Sequence, residues 1–308
     1  MGKKIKDPGL GNASAASAER MMNPNGSFNI LHLNKTRRFS EAYNFLVEIS
    51  WWYFFLLTFV VGFVLNAIFA LIYLLIGIET ITASTGNLSE DFFNAFFFSA
   101  QTFTTLGYGA MSPEGMASGI VSSFEAFFGL VVFAFITGLI YGRFSKPRAA
   151  IRFSKHIVFR EFADNMAIMF RIVNNRRSIM IYPKVTVTLS LTKQNEDGEY
   201  TNSFYNLKLE RKSINYLPTT WTIVHEVDKE SPLSVFTKEE LIKQQGEFLI
   251  MISYYDESFN QEVHQMHSYT LEELRLNYKF QKAFYYNTDG KMVLDHKLFD
   301  NIEKLNNT

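Results

Sequence analysis

No charged side chain occurs between residues 49 and 78, and Phe, Leu, Val, Ile and Ala dominate 54–78. A helix of about 20 apolar residues crosses a bilayer core. This run exceeds that length, and only a soluble domain that buried it on every side could hold it otherwise. Trp51, Trp52 and Tyr53 stand at its start, where amphipathic rings favour a membrane interface. A second apolar run, 116–142, carries a single charge, Glu125. Between the two lies 91–104, apolar but too short to span. That length fits a re-entrant half-span, with Ser89 as the expected N-cap and Glu90 and Asp91 complementing the helix dipole.

Averages conceal this partition. Over 308 residues the mean hydropathy is −0.01 and the formal net charge +0, yet the chain beyond about residue 145 is mixed and strongly charged. Neutral charge without a basic–aromatic stripe gives no argument for nucleic acid. The absence of cysteine excludes disulfides, thiolate metal sites and a cysteine nucleophile. Lys3, Lys4 and Lys6 precede a small, polar run with no apolar core, which is not a secretory signal. Gly, Ala, Ser and Asn dominate 9–29, so 1–37 is expected to be mostly flexible.

Lys35, Arg37 and Arg38 precede the first span, and Arg143, Lys146, Arg148 and Arg152 follow the second, whereas 79–115 has four acids and no Lys or Arg. The positive-inside rule then puts both termini in the cytoplasm, and with them the charged C-terminal half.

Thr104-Thr105-Leu106-Gly107-Tyr108-Gly109 follows the half-span directly. Irregular backbone at membrane depth is tolerated where it is buried in protein or lines a watery cavity. A potassium filter needs such a segment: successive carbonyls and the Thr105 hydroxyl replace the ion's hydration shell. Gly107 and Gly109 permit the backbone turns required, and Tyr108 is expected to point away from the pore. One strand cannot surround an ion, so four copies are needed. The half-helix would aim its negative end at the cavity. Glu125, an intramembrane carboxylate, is functional or paired by default, and is expected behind the filter, hydrogen-bonded to the pore helix.

With these features the chain resembles the prokaryotic inward-rectifier potassium channels from about residue 30 to 300. The matching residues are Phe96-Phe97-Phe98-Ser99, Thr137-Gly138, Arg143 through Arg148, Trp221 through Asp228, Ser231-Pro232-Leu233 and Val263 through Tyr269. The resemblance implies a membrane α plus cytoplasmic all-β protein: a slide helix at 38–50, then a pore domain at 51–145. That domain has an outer helix 51–78, pore helix and filter 90–109, and inner helix 116–144. An immunoglobulin-like β-sandwich follows at 146–308. Near-helical spacing of Phe39, Tyr43, Leu46 and Val47 supports the slide helix independently. The β-rich runs 182–191 and 248–255, with a Glu196-Asp197-Gly198 turn, agree with the sandwich.

The resemblance further implies a homotetramer in the cell (inner) membrane, with K+ the transported ion at the filter, no other cofactor, no structural metal and no enzymatic activity. Tyr141 aligns with the bulky residue at the inner-helix crossing, where gating by dewetting and ordinary helix packing are both open readings. Phe133 occupies the pore-lining rectification position; lacking a carboxylate there, the channel is expected to rectify weakly. Lys35, Arg37, Arg38, Lys146 and Arg148 suit an anionic inner leaflet, through a specific phosphoinositide site or positive-inside topology alone. Leu106, Ala110 and Gln101 depart from the family pattern. They remove charged bracing around the filter, so a nonselective monovalent cation channel of the same architecture is the alternative. A zinc-enzyme reading of His225-Glu226 fails, because Lys229 stands where a second histidine is needed. His264 and His267, three apart in an expected strand, face opposite sides.

Overall fold

The computed structural model describes residues 4–15, 18–34, 39–147, 149–176, 179–237, 240–241 and 245–305. The chain divides into a helical unit, Asn34–Lys146, and a β unit formed by Met1–Leu33 with Pro147–Thr308.

The helical unit contains α1 (Phe39–Glu48), α2 (Trp51–Ile76), α3 (Leu88–Phe103) and α4 (Met116–Ser145). α2 and α4 are long and apolar enough to cross a membrane. Their large side chains, such as Phe59, Leu75, Phe124 and Phe127, lie mostly exposed on the protomer. Such exposed apolar surface marks contact with lipid or another subunit. α2 stops two residues short of the expected position because Gly77 adopts φ 119°, its N–H bonding back to the Tyr73 carbonyl. α3 also differs in its start. Asn87, not Ser89, is the N-cap, its side chain accepting the Ser89 N–H at 3.0 Å.

Two apolar clusters join the helices. Phe69, Ala70 and Tyr73 of α2 pack on Ala95 and Phe98 of α3. Val47 of α1, Phe54 of α2 and Leu139 of α4 form the other. Beside the second, the buried Arg143 guanidinium donates to the carbonyls of Leu46 and Ile49. It thereby satisfies acceptors that the end of α1 leaves without helical partners. The same guanidinium lies 4.5 Å from the Trp51 ring centroid and 4.7 Å from that of Phe54.

The β unit begins with β1 (Lys4–Ile5) and β2 (Ala13–Ser14). It resumes with β3 (Ile151–Phe153), β4 (Ile157–Phe162), β5 (Asn165–Asn174), β6 (Met180–Gln194), β7 (Tyr200–Asn206) and β8 (Thr220–Val227). β9 (Gly246–Asp256), β10 (Gln261–Thr270), β11 (Leu274–Leu276), β12 (Tyr278–Phe280), β13 (Phe284–Tyr286), β14 (Met292–Leu294) and β15 (Ile302–Lys304) complete it. One sheet runs β1-β7-β6-β9-β10, with β2 also on β7. The other runs β11-β4-β5-β3, with β8 also on β5. On β6, Val185, Val187, Leu189 and Leu191 are buried, a period of two that turns one face inward. They share a core with Ile168, Phe170 and Ile172 of β5 and with Ile250 and Ile252 of β9. The result is a two-sheet sandwich. On the outer face of β5, Ala167 and Met169 are covered by Phe280 and Ile302. Arg171 anchors that cover, donating to the carbonyls of Gln281, Leu298 and Phe299; burial pushes its pKa down to about 10. The β6–β7 turn closes through the Gly198 N–H to the Asn195 carbonyl at 3.0 Å, with Gly198 at φ 82°.

The described residues within 1–37 make contacts with the β unit that the sequence did not suggest. β1 and β2 pair with β7, which would otherwise be the open edge of its sheet. Farther on, the Met21 and Met22 N–H groups donate to the buried Glu247 carboxylate at 2.7 and 3.0 Å. Arg20 donates to the carbonyl and hydroxyl of Ser268. Composition missed this because the partners are backbone groups and distant polar side chains, invisible to local hydropathy.

Candidate functional site

The site begins at the end of α3. Its first turn is fastened by Asp91, which accepts from the Ser84 hydroxyl at 2.7 Å and the Thr85 amide at 2.8 Å. At its far end the Thr104 hydroxyl bonds to the Ala100 carbonyl at 2.6 Å. The chain then reverses: the Leu106 N–H reaches the Gln101 carbonyl at 2.8 Å, and the Gly107 N–H shares that acceptor at 3.4 Å. Gln101 thus meets the following segment through its backbone. Left-handed residues recur at every second position, Thr105 at φ 59°, Gly107 at 51° and Gly109 at 84°. Such alternation of backbone hand lines up successive peptide dipoles. The glycines accept it freely, whereas a β-branched threonine does so under strain, a feature that gathers at functional sites. The strain at Thr105 was not readable from residue type. Leu106 and Tyr108 project from the protomer, Tyr108 with 74 % of its surface exposed.

Behind α3, Glu125 of α4 is wholly buried. It accepts from the Tyr73 hydroxyl of α2 at 2.6 Å and lies 2.5 Å from the Ser99 hydroxyl of α3. Ser99 is also 3.0 Å from the Asn66 amide oxygen of α2. Asn66 and Tyr73 were not among the expected residues. Their signal was present, since two polar side chains seven apart in an apolar helix share one face. α4 approaches closely here because residue 129 is glycine: any Cβ would collide with the Phe103 carbonyl oxygen.

Phe133 and Tyr141, eight residues apart on α4, are exposed on the protomer. Lys146 pairs with Glu48 of α1 at 2.6 Å, both side chains at least half exposed. Lys35, Arg37, Arg38 and Arg148 lie outside the described residues. Of the histidines, His264 is exposed on β10, while His267 stacks on Phe153 at 4.2 Å and bonds through Nδ1 to the Pro24 carbonyl at 2.5 Å. His225 is held between the Lys208 carbonyl and the Ser231 hydroxyl, a structural placement.

Residues 151–308 match the family described as the inward rectifier potassium channel C-terminal domain, and 60–146 match the family described as ion channel. The chain is 33% identical to the inward rectifier potassium channel Kirbac3.1 of Paramagnetospirillum magnetotacticum, over 93% of this chain and 97% of that protein. It is 29% identical to the ATP-sensitive inward rectifier potassium channel 10 of Rattus norvegicus, over 68% of this chain and 58% of that one. Identity to the G protein-activated inward rectifier potassium channel 1 of Bos taurus is 25%, over 85% and 57% respectively. The chain thus spans little more than half the length of these two animal relatives.

Proposed function

Because this chain belongs to the inward-rectifier potassium channel family, we propose that four copies surround one axis and conduct K+ passively through a filter of Thr105, Leu106, Gly107, Tyr108 and Gly109. The observation that carries this reading is the alternation of left-handed backbone at 105, 107 and 109, directly after a half-span helix. In four copies such segments would offer rings of carbonyls that replace the ion's water shell. The C-terminal end of α3 faces the same place, and its partial negative charge favours a cation there.

The chain sits in the cell (inner) membrane with both termini in the cytoplasm, on the strength of its basic flanks. Phe133 lines the pore without a carboxylate to attract polyamines, hence weak rectification. Tyr141, bulky and exposed on α4, is the gate. Lys146, with Lys35, Arg37, Arg38 and Arg148, meets anionic lipid at the inner leaflet. A nonselective cation channel is the second reading, favoured by Leu106 and Ala110 at the filter.

The test is rubidium uptake into potassium-loaded liposomes holding the purified protein, with sodium and barium as competitors. Uptake that barium blocks and sodium leaves intact is expected. Reduction by sodium would shift the choice to the nonselective pore. Tyr141→Ala is expected to raise uptake, and silence of both proteins in every lipid mixture would sink the channel reading.

A further inference from the structure

Glu125 is wholly buried, and no Lys, Arg or His occurs between residues 49 and 142. A second copy of the chain therefore brings no cation from its own 49–142 segment either. A carboxylate here would stand in a low-dielectric interior without a counter-charge, which is costly. Among the described residues, Tyr73 of α2 is the titratable group bonded to it. On α3, Glu90 and Asp91 lie at the opposite end from Ser99's neighbours, and Asp91 is engaged by Ser84 and Thr85. α4 has no other acid.

The hydrogen bonds lead to the same place independently. The Asn66 amide nitrogen donates to the Gly62 carbonyl at 2.8 Å, which turns its oxygen toward Ser99. Ser99 Oγ then faces two acceptors, Asn66 Oδ1 at 3.0 Å and Glu125 Oε1 at 2.5 Å. A hydroxyl has one proton to give. Tyr73 cannot supply the other, because its hydroxyl serves Oε2. Were Glu125 ionised, Ser99 would bond to it and leave Asn66 Oδ1 without a donor. With a proton on Oε1 the chain closes. Glu125 donates to Ser99, Ser99 to Asn66, and Tyr73 to Glu125, with each of these contacts satisfied.

We propose that Glu125 carries a proton and is the centre of a neutral clamp, Asn66–Ser99–Glu125–Tyr73, that positions α3 and the turn at 105–109 against α2 and α4. Losing that proton breaks the clamp and closes the pore. The consequence for conduction rests on 105–109 being the filter; the proton itself does not.

The test uses the full-length protein reconstituted in lipid vesicles at neutral pH. Infrared spectra should contain the carbonyl stretch of a protonated carboxyl that shifts with carboxyl-labelled glutamate and is lost in Glu125→Gln. The label needs no variant to fold. A spectrum without that band, or one that Glu125→Gln leaves unchanged, would overturn the proton. Rubidium uptake across pH is the second reading, each protein normalised to its own value at pH 7. Wild-type uptake should fall about tenfold as the medium turns strongly alkaline, because an uncompensated buried charge is disruptive. Glu125→Gln, which keeps a donor and an acceptor without the titration, should stay flat. Identical profiles would overturn the coupling to the pore. The band present with no uptake in any variant would count against the channel and uphold the proton.

Discussion

Phe103, the last residue of α3, touches Gly129 so closely that the two set the position of everything after them. A Cβ at 129 would meet the Phe103 carbonyl oxygen, with the carbonyl carbon at 2.9 Å and Cα at 3.1 Å. These are backbone atoms, so no rotamer change relieves the clash, and α3 must shift. The turn at 105–109 hangs from that end through the Gln101 carbonyl. Gly129→Ala is therefore expected to cost about 1–3 kcal/mol by overpacking and to lower both the melting temperature and rubidium uptake of the reconstituted protein. Gly62→Ala is the control, since its Cβ would enter open space on the protomer. A Gly129→Ala protein that melts and conducts like the Gly62→Ala control would show that the approach of α4 to α3 is not what holds the turn.

At the scale of elements, the parts dictated by local chemistry were legible in the sequence. Uncharged length marks α2, a β-rich run marks β6, and a glycine in a polar triplet marks the β6–β7 turn. What escaped depends on partners far along the chain. Glu125 stood out as the one charge of its run, whereas Asn66, Ser99 and Tyr73 join it in a network only when three helices meet. The contacts of residues 20–24 were not legible because their partners are Glu247, Ser268 and His267, all on β9 and β10. His267 gives that docking a pH dependence. Burial, the largest cause, holds its pKa at about 4, below the ordinary 6.5. Lifting the segment away removes the share of that burial which the segment supplies, while Phe153 and Tyr269 remain against the ring. Above pH 6.5 both states are neutral and the contact is at full strength. Between 6.5 and 4 the released state binds a proton that the docked state refuses, so acid favours release. The bond to the Pro24 carbonyl, the second cause, and Glu273 work against burial, and Arg20 works with it. Hydrogen exchange of amides 21–28, corrected for intrinsic rates, should show protection falling from pH 7.5 to pH 5 in the full-length protein. In His267→Gln the fall should vanish. Equal loss in both proteins would assign the acid sensitivity to another group.

For the whole molecule, the decisive asymmetry is where charge is absent. From 49 to 142 there is no basic side chain, while the flanks on both sides are basic. A membrane with an anionic inner leaflet reads that pattern as orientation, at about 1 kcal/mol for each basic residue near the surface. Lys146 is the flank residue expected at the inner leaflet that the described residues include. It holds Glu48 on α1 at 2.6 Å, an exposed pair worth about 0–1 kcal/mol, so a lipid phosphate can compete for the same ammonium. Capture of Lys146 by lipid would loosen α1 from α4 on that side, while Arg143 continues to hold the carbonyls of Leu46 and Ile49. Rubidium uptake should therefore vary with the fraction of anionic lipid, whichever sign the variation takes, and salt should weaken it. Replacing Lys35, Arg37, Arg38, Lys146 and Arg148 together by Gln should flatten that dependence. Glu48→Gln, which frees Lys146 for lipid, should steepen it. The two variants are changed in opposite directions by one competition, so similar slopes in both would reject it even if each conducted normally.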